Sequence, residues 1–130
     1  MNEPVFHTDV LEKLMTACGD DPETLEIIGD CIKDFSAYHA AIVEMETWLK
    51  LHNYGNTDRA AYQDRKVSLD KARTVCHNAV LGRVSILNRM AAQAGLEPVY
   101  DGTVSEERPY RRQVANAVLA YLEDVIQRRL

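Results

Sequence analysis

Two long helical patterns, residues 21–52 and 58–94, are joined through the short turn sequence NYGNTD, and this pairing constrains the fold more than any other feature of the chain. In the first pattern, apolar residues recur in alternating steps of three and four, with His39 and Glu46 at the two interruptions of the series. Such a pattern is typical of a helix that packs along another helix. The second pattern has similar spacing from Leu69 to Met90. Because so short a connection keeps consecutive helices adjacent, the sequence predicts a long antiparallel helical hairpin.

Residues at the ends of both patterns agree with these boundaries. Asp21 followed by Pro22 is a typical N-cap and first helical position. Thr57 or Asp58 can cap the second long helix, and Gly95 can end it in the left-handed conformation that terminates many helices.

Two shorter helical patterns lie outside the hairpin. One covers VLEKLMTAC and ends at Gly19, and the other runs from about Pro109 to Arg129. The strand-like alternation of EPVY is too brief to compete with these helices, and 130 residues is the size of one domain. The sequence therefore predicts one all-α domain, residues 1–130, built on the hairpin with a short N-terminal helix and a C-terminal helix.

Charge is divided unevenly between the two long helices. Residues 21–52 hold seven acids and two bases, giving −5, whereas residues 58–94 hold seven bases and three acids, giving +4. Each exposed ion pair contributes little, but opposite charges favour this pairing of helices over a like-charged one. A net charge of −5 for the chain does not favour nucleic-acid binding, although Arg108, Arg111 and Arg112 form a small basic cluster.

Cysteine usage and hydropathy predict a cytoplasmic protein without membrane contact. The three cysteines are widely spaced, which is typical of free thiols in a reducing compartment. No apolar run approaches the roughly 18 residues of a membrane span, and the N-terminus lacks a targeting pattern. No cofactor or metal is expected, since no acid precedes a histidine by three residues as in di-metal bundles. A metal shared by His39 and His77 stays as an alternative to ordinary core histidines.

Large apolar side chains near the turn predict self-association. At 1.5 Å per residue the long helices span roughly 45–55 Å, the C-terminal helix about 31 Å and the N-terminal helix about 15 Å, so neither short helix reaches the turn. An exposed apolar patch of this kind is typical of an interface. We therefore expect a homodimer, unless the helices bend or end earlier and cover these side chains themselves. The expected interface residues are Met45, Trp48, Leu49, Tyr54 and Tyr62, with Leu51 beside them.

The connector, residues 95–108, is long for a helical domain and has two interpretations. In the simpler one, it crosses the end of the bundle, packs Leu96 and Tyr100 there, and leads into a last helix parallel to the first long helix. Polar residues of the second long helix would then form a structural network, in which His77 and Asn78 hold the connector and Arg89 pairs with an acid of the connector or of the first helix. The members of this network are His77, Asn78, Arg83, Asn88 and Arg89. In the alternative, connector and helix form a site of a small-molecule-binding protein or enzyme. Its candidate residues are His77, Asn78, Arg89, Tyr100, Asp101, Arg108 and Arg111.

No catalytic residue is assigned, since Cys76 and His77 are neighbours on a helix, point roughly 100° apart and cannot act as nucleophile and base. Gly29 and Gly82 interrupt helices at a cost of about 1 kcal/mol each relative to alanine. We expect them to mark places where helices approach closely. The leading hypothesis is a non-enzymatic helical protein-interaction module, homodimeric and able to engage another protein.

Four stretches along nearly the whole chain resemble a small bacterial protein family known as a domain of unknown function. They are CGDDPE, CHNAVLGRV, LNRMAAQAGLEPVYDG and VSEERPYRRQVANAVLAYLE. The resemblance implies a bacterial, cytoplasmic, helical protein, and it transfers no activity.

Overall fold

The computed structural model describes residues 3–52 and 58–129, and this part of the chain forms four helices. They are α1 (Thr8–Cys18), α2 (Pro22–Leu51), α3 (Arg59–Gln93) and α4 (Arg108–Arg129). The all-α prediction is confirmed, and the β-type pairing found within the described ranges is an isolated bridge between Phe6 and Tyr100. None of the helices in these ranges is both long enough and apolar enough to cross a membrane.

The ends of the long helices follow the local signals of the sequence. Asp21 is the N-cap of α2 and Pro22 its first residue. Asp58 caps α3, and its carboxylate accepts a hydrogen bond from the backbone N–H of Ala61 at 3.1 Å. Gly95, with φ of +74°, adopts the left-handed conformation just after α3, which glycine does at little cost.

Helices α2 and α3 form the predicted antiparallel hairpin. Near its turn, Arg65 of α3 donates to Glu44 of α2 at 2.8 Å. Farther from the turn, the guanidinium of Arg83 donates to Asp34 at 2.6 Å. The two helices are therefore antiparallel, because later residues of α3 pair with earlier residues of α2. The acidic helix lies beside the basic one.

The hydrophobic core lies at the end of the hairpin away from the turn. Residues 39–52 and 58–76 form what we name the distal half, and Leu69 is the one residue in it that is buried. Leu69 also stands apart from the main core cluster. That cluster draws on all four helices, the N-terminal segment and the connector, with Phe6, Leu14, Ile28, Phe35, Val84, Leu87, Tyr100 and Val118 among its members.

The connector runs back along α3 rather than across the end of the bundle. Helix α3 ends at Gln93, but Tyr100 is held by Asn88 and Arg111 contacts His77. His77 precedes Gln93 by sixteen residues, which corresponds to about 24 Å of helix. The length of the connector follows from this return path.

Helix α4 then runs in the direction of α3. It begins beside His77, and its Tyr121 packs on Phe6 with ring centroids 4.6 Å apart. Phe6 pairs with Tyr100, which lies at the level of Asn88 on α3. The expectation that the last helix runs parallel to α2 was therefore wrong. The connector, and not α4, carries the chain back toward the turn of the hairpin.

Gly29 and Gly82 do not mark close helix packing within the chain. Both residues are exposed, and a Cβ built on either one would find no heavy atom within 4 Å. The expectation of close approach was therefore wrong for the single chain, because both glycines lie on outer faces of their helices.

Candidate functional site

Four of the seven predicted ligand-binding residues lie at two separate places along α3. One is centred on His77 and the other on Asn88, eleven residues or about 16 Å along the helix. Arg111 lies at the first place, and Tyr100 and Asp101 lie at the second. The remaining three, Asn78, Arg89 and Arg108, are exposed.

The side chain of Asn88 binds the backbone of the connector. Its side-chain amide donates to the carbonyl oxygen of Tyr100 at 3.2 Å, and its amide oxygen accepts from the N–H of Tyr100 at 3.0 Å. Tyr100 is only 1% exposed, so these two bonds satisfy backbone groups that water cannot reach. Asparagine is a poor helix former, so an asparagine in mid-helix indicated such a role, but the prediction gave it to His77 and Asn78, and Asn78 is exposed.

Asp101 fastens the N-terminal segment, residues 3–7, to the connector. One carboxylate oxygen accepts from the N–H of Val5 at 2.9 Å, and the other lies 2.8 Å from Nε2 of His7. The N–H of His7 also donates to the carbonyl of Val99 at 2.7 Å. The bond from Val5, followed by the bond from His7, lowers the pKa of the Asp101 carboxyl. Sequence reasoning missed His7, because nothing near it in the chain signals this distant partner.

His77 is held in one neutral form by Arg111. Nε2 of His77 lies 3.3 Å from the carbonyl oxygen of Arg111, which can only accept, so this nitrogen carries the proton. Nδ1 then accepts from Nε of Arg111 at 3.4 Å. Burial, and next the charge of Arg111, lower the pKa of His77. The ring of Tyr38 packs on the imidazole at 5.2 Å, and burial raises the pKa of the Tyr38 hydroxyl.

The Tyr100 ring fills the space beside the connector turn. A Cβ built on Gly102 would lie 2.5 Å from the Tyr100 hydroxyl and 2.5 Å from Cβ of Pro4, so only glycine fits without movement. The hydroxyl itself is buried, and no hydrogen-bond partner for it is found among residues 3–52 and 58–129. Tyr100 therefore acts as a packing residue of the core.

A cleft of about 340 Å³ lies between the N-terminal segment and α4. Phe6 and Tyr121 contribute aromatic surface to it, and Glu3, Asn116 and Asp124 contribute polar groups. Sequence reasoning did not find this cleft, because it exists only where the N-terminal segment meets α4.

The cysteines and acids of the described ranges do not form a metal site, since no three metal-ligating side chains come together there. All three cysteines are free thiols. Burial raises the pKa of the Cys31 thiol, which points to the carbonyl of Arg83 at 3.9 Å. A protonated, buried thiol is a packing group rather than a nucleophile.

The predicted interface residues lie on the distal half. The ring of Trp48 lies between those of His52, at 4.8 Å, and Tyr62, at 5.0 Å. Four of the predicted residues are therefore found partly buried in the hairpin: Met45, Trp48, Leu49 and Tyr62. Tyr54 lies outside the described residues. The most exposed apolar side chains nearby are Leu51 at 66%, Val67 at 50% and Val75 at 69%, and the two valines were missed because they lie off the apolar stripe.

Comparison with known proteins identifies a family and nothing narrower. No curated protein and no solved structure matches the chain. Residues 3–128 match the model of the family described as "Protein of unknown function (DUF3232)". Because the match includes nearly every residue, the chain belongs to this family of proteins of unknown function, DUF3232.

Proposed function

We propose that the protein is a non-enzymatic helical interaction module that forms a homodimer through the distal half of its hairpin. The observation that carries this proposal is the position of the core. Core residues on the hairpin extend to Tyr38 on α2 and begin at Val80 on α3, whereas the described part of the distal half contributes only Leu69 as a buried residue. Two helices alone cannot enclose the apolar side chains between them.

The distal half presents apolar surface that a second copy would bury. Leu51, Val67 and Val75 are each at least half exposed, and Trp48 and Tyr62 are partly exposed. Removing apolar surface from water contributes about 25 cal/mol for each Å². A second hairpin packed on this half would complete a four-helix arrangement, which is the usual way in which such helices bury an apolar stripe.

The proposal also includes a bacterial cytoplasmic location and a protein partner. The location is supported by the family resemblance and by three free cysteines, which are typical of a reducing compartment. A protein partner is favoured over nucleic acid because a chain of net charge −5 repels phosphate groups.

Light scattering on the chromatographed protein tests the homodimer. We expect the wild type to be dimeric at micromolar concentration, and Leu51→Glu and Trp48→Glu to dissociate at least tenfold more readily, since a buried unpaired charge is costly. Val5→Glu is the matched control, because Val5 is 47% exposed but lies outside the distal half. A wild type that is monomeric at micromolar concentration would contradict the proposal.

Small-molecule binding between the N-terminal segment and α4 is the second candidate function. The observation in its favour is the cleft of about 340 Å³ beside the segment that Asp101 fastens, since this volume suits a small ligand. A thermal-shift screen with metabolites should raise the melting temperature of the wild type. Ala120→Trp, which fills the cleft, should abolish that rise; a screen without any shift removes this candidate.

A further inference from the structure

Two acids and two aromatic rings line the cleft between the N-terminal segment and α4. Glu3 belongs to the wall formed by the N-terminal segment, and Asp124 belongs to the wall formed by α4. Phe6 and Tyr121 contribute one ring from each wall. The described lining includes no lysine, arginine or histidine, so its formal charge is −2. An anionic ligand would therefore meet only like charges in this cleft.

The wall that carries Phe6 is fixed by packing and by hydrogen bonds. The Phe6 ring lies 4.6 Å from that of Tyr121 and meets the ring of Phe35 edge-on at 5.8 Å. The residues on either side of Phe6, Val5 and His7, donate their backbone N–H groups to the connector. Because this wall is already ordered, a ligand does not have to order it on binding, which favours affinity.

A charged ligand group at Asp124 would lie beside an aromatic ring. Tyr121 precedes Asp124 by three residues on α4, so their side chains are neighbours on one face of the helix. One carboxylate oxygen of Asp124 accepts from Arg128 at 3.1 Å, in an exposed ion pair that contributes little to stability. A carboxylate can accept at both oxygens, and the face of an aromatic ring attracts a cation within about 6 Å of its centroid. This pair of side chains therefore favours a cation.

The rest of the cleft surface is mainly apolar. Pro4, Val5, Ala117 and Ala120 contribute aliphatic groups to the lining. Ligand sites of this size are typically lined by apolar groups, with a few polar ones that fix the orientation of the ligand. A bare metal ion gains nothing from apolar walls, since it is held by several oxygen ligands. The ligand should therefore carry an apolar body as well as a positive charge.

We infer that the cleft binds a small organic ammonium ion. Its charged group lies against Asp124 and the ring of Tyr121, and its apolar body lies between the N-terminal segment and α4. This inference rests on the second candidate function, small-molecule binding, because it names the class of ligand. It is independent of the homodimer, since no residue of the described lining belongs to the distal half.

Three probes of similar shape test the charge of the ligand: phenethylamine, phenylethanol and phenylacetate, which are positive, neutral and negative. Titrations followed by NMR on isotope-labelled protein measure each affinity and locate the binding site. Phenethylamine should bind with a Kd of about 1 mM and shift the amide signals of residues 3–8 and 113–124. Phenylethanol should bind about fivefold more weakly, because it makes neither the ion pair nor the cation–π contact. Phenylacetate should bind at least about tenfold more weakly, because the two acids repel it.

Asp124→Asn removes the charge and keeps the shape of the side chain. It should weaken phenethylamine binding about three- to fivefold and leave phenylethanol binding unchanged. The matched control is Glu123→Gln, because Glu123 is the adjacent exposed acid of α4 and lies outside the lining. This control should keep the wild-type affinity for phenethylamine. Ala120→Trp, which fills the cleft, should bind none of the three probes, and circular dichroism verifies that every variant remains helical.

The outcomes separate the ligand class from small-molecule binding itself. Equal affinities for phenethylamine and phenylethanol, tighter binding of phenylacetate, or an unchanged phenethylamine affinity in Asp124→Asn would overturn the ammonium assignment. The absence of any shift with phenethylamine at about 10 mM would overturn it as well. In each of these cases small-molecule binding remains open to the metabolite screen, and only a screen without any shift in melting temperature removes it.

Discussion

Among single residues, Asn88 shows most directly why α3 contains polar side chains in its middle. The side chain of Asn88 replaces the two hydrogen bonds that a regular secondary structure would have given the backbone of Tyr100. The helix accepts a residue of low helix propensity because the connector needs this partner. The other asparagine of α3, Asn78, is exposed.

Asn88→Ala should destabilise the protein by about 2–6 kcal/mol, because two buried backbone groups of Tyr100 lose their partners at a cost of about 1–3 kcal/mol each. Asn78→Ala is the matched control on the same helix and should change stability by less than about 0.5 kcal/mol. Urea denaturation of both variants measures the difference. Equal midpoints for the two would show that Asn88 does not hold the connector.

Gly102→Ala should destabilise the protein by about 1–3 kcal/mol, because the new methyl group would overlap the Tyr100 ring and Pro4. The double variant Gly102→Ala with Tyr100→Phe should recover part of this loss, since it removes the hydroxyl that the methyl group meets. Tyr100→Phe alone should be neutral or slightly stabilising, because the buried hydroxyl has no partner in the described ranges. Thermal denaturation of the three variants checks this order.

His77 should make stability depend on pH below neutrality. Its pKa is lowered in the folded protein, so the unfolded chain binds a proton first as pH falls below the ordinary histidine value of about 6.5. Because the unfolded state then binds more protons, the free energy of unfolding falls as pH falls through this range. In His77→Gln, urea midpoints measured between pH 7 and pH 5 should decline less steeply. An unchanged slope would contradict this assignment.

At the scale of helices and connections, local signals set the helix ends, whereas long-range contacts set the path of the connector. Helix ends follow caps such as Asp58 and the glycine at position 95. The path of the connector, by contrast, is set by its contacts with residues of α3. Asn88, for example, lies twelve residues before its partner Tyr100. The expected crossing at the bundle end was wrong because a loop of this length can follow a helix backwards and still bury Tyr100.

Gly29→Ala and Gly82→Ala should each stabilise the monomer by about 0.5–1 kcal/mol, because alanine restricts the unfolded chain and meets no neighbour in the folded one. Leu51→Glu provides the monomeric background in which to compare them by urea denaturation. A loss of stability in either variant would contradict this prediction, because it would mean that the new methyl group meets a neighbouring atom of the same chain.

For the molecule as a whole, the core is concentrated at one end of an elongated hairpin. The proximal end combines helices, connector and N-terminal segment, and the fastening between His7 and Asp101 joins residues 94 positions apart. The described part of the distal half has one buried residue, Leu69, and the homodimer that we propose would cover this half. The homodimer that we propose follows from this uneven distribution of buried residues along the hairpin.

Hydrogen exchange should report the same unevenness. In the monomeric Leu51→Glu background, amides of residues 59–69 should exchange faster than those of residues 80–91, because fewer apolar contacts oppose local opening there. In the wild type, dimerisation should slow the exchange of the first group. Uniform protection along α3 in the monomer would contradict this expectation.

The sequence by itself determined the four helices, their ends and the antiparallel pairing of α2 with α3. These features depend on caps, periodicity, a short turn and opposite charge, all of which act between residues that are near in the chain or on adjacent helices. It also indicated that polar residues of α3 hold the connector, since poor helix formers in mid-helix need a reason.

Only the tertiary structure decided which residues meet across the chain. The fastening of His7 to Asp101, the return path of the connector, the direction of α4 and the cleft beside Phe6 depend on contacts between segments far apart in sequence. Such contacts have no periodicity and no local motif, because they form only after separate helices have packed around a shared core.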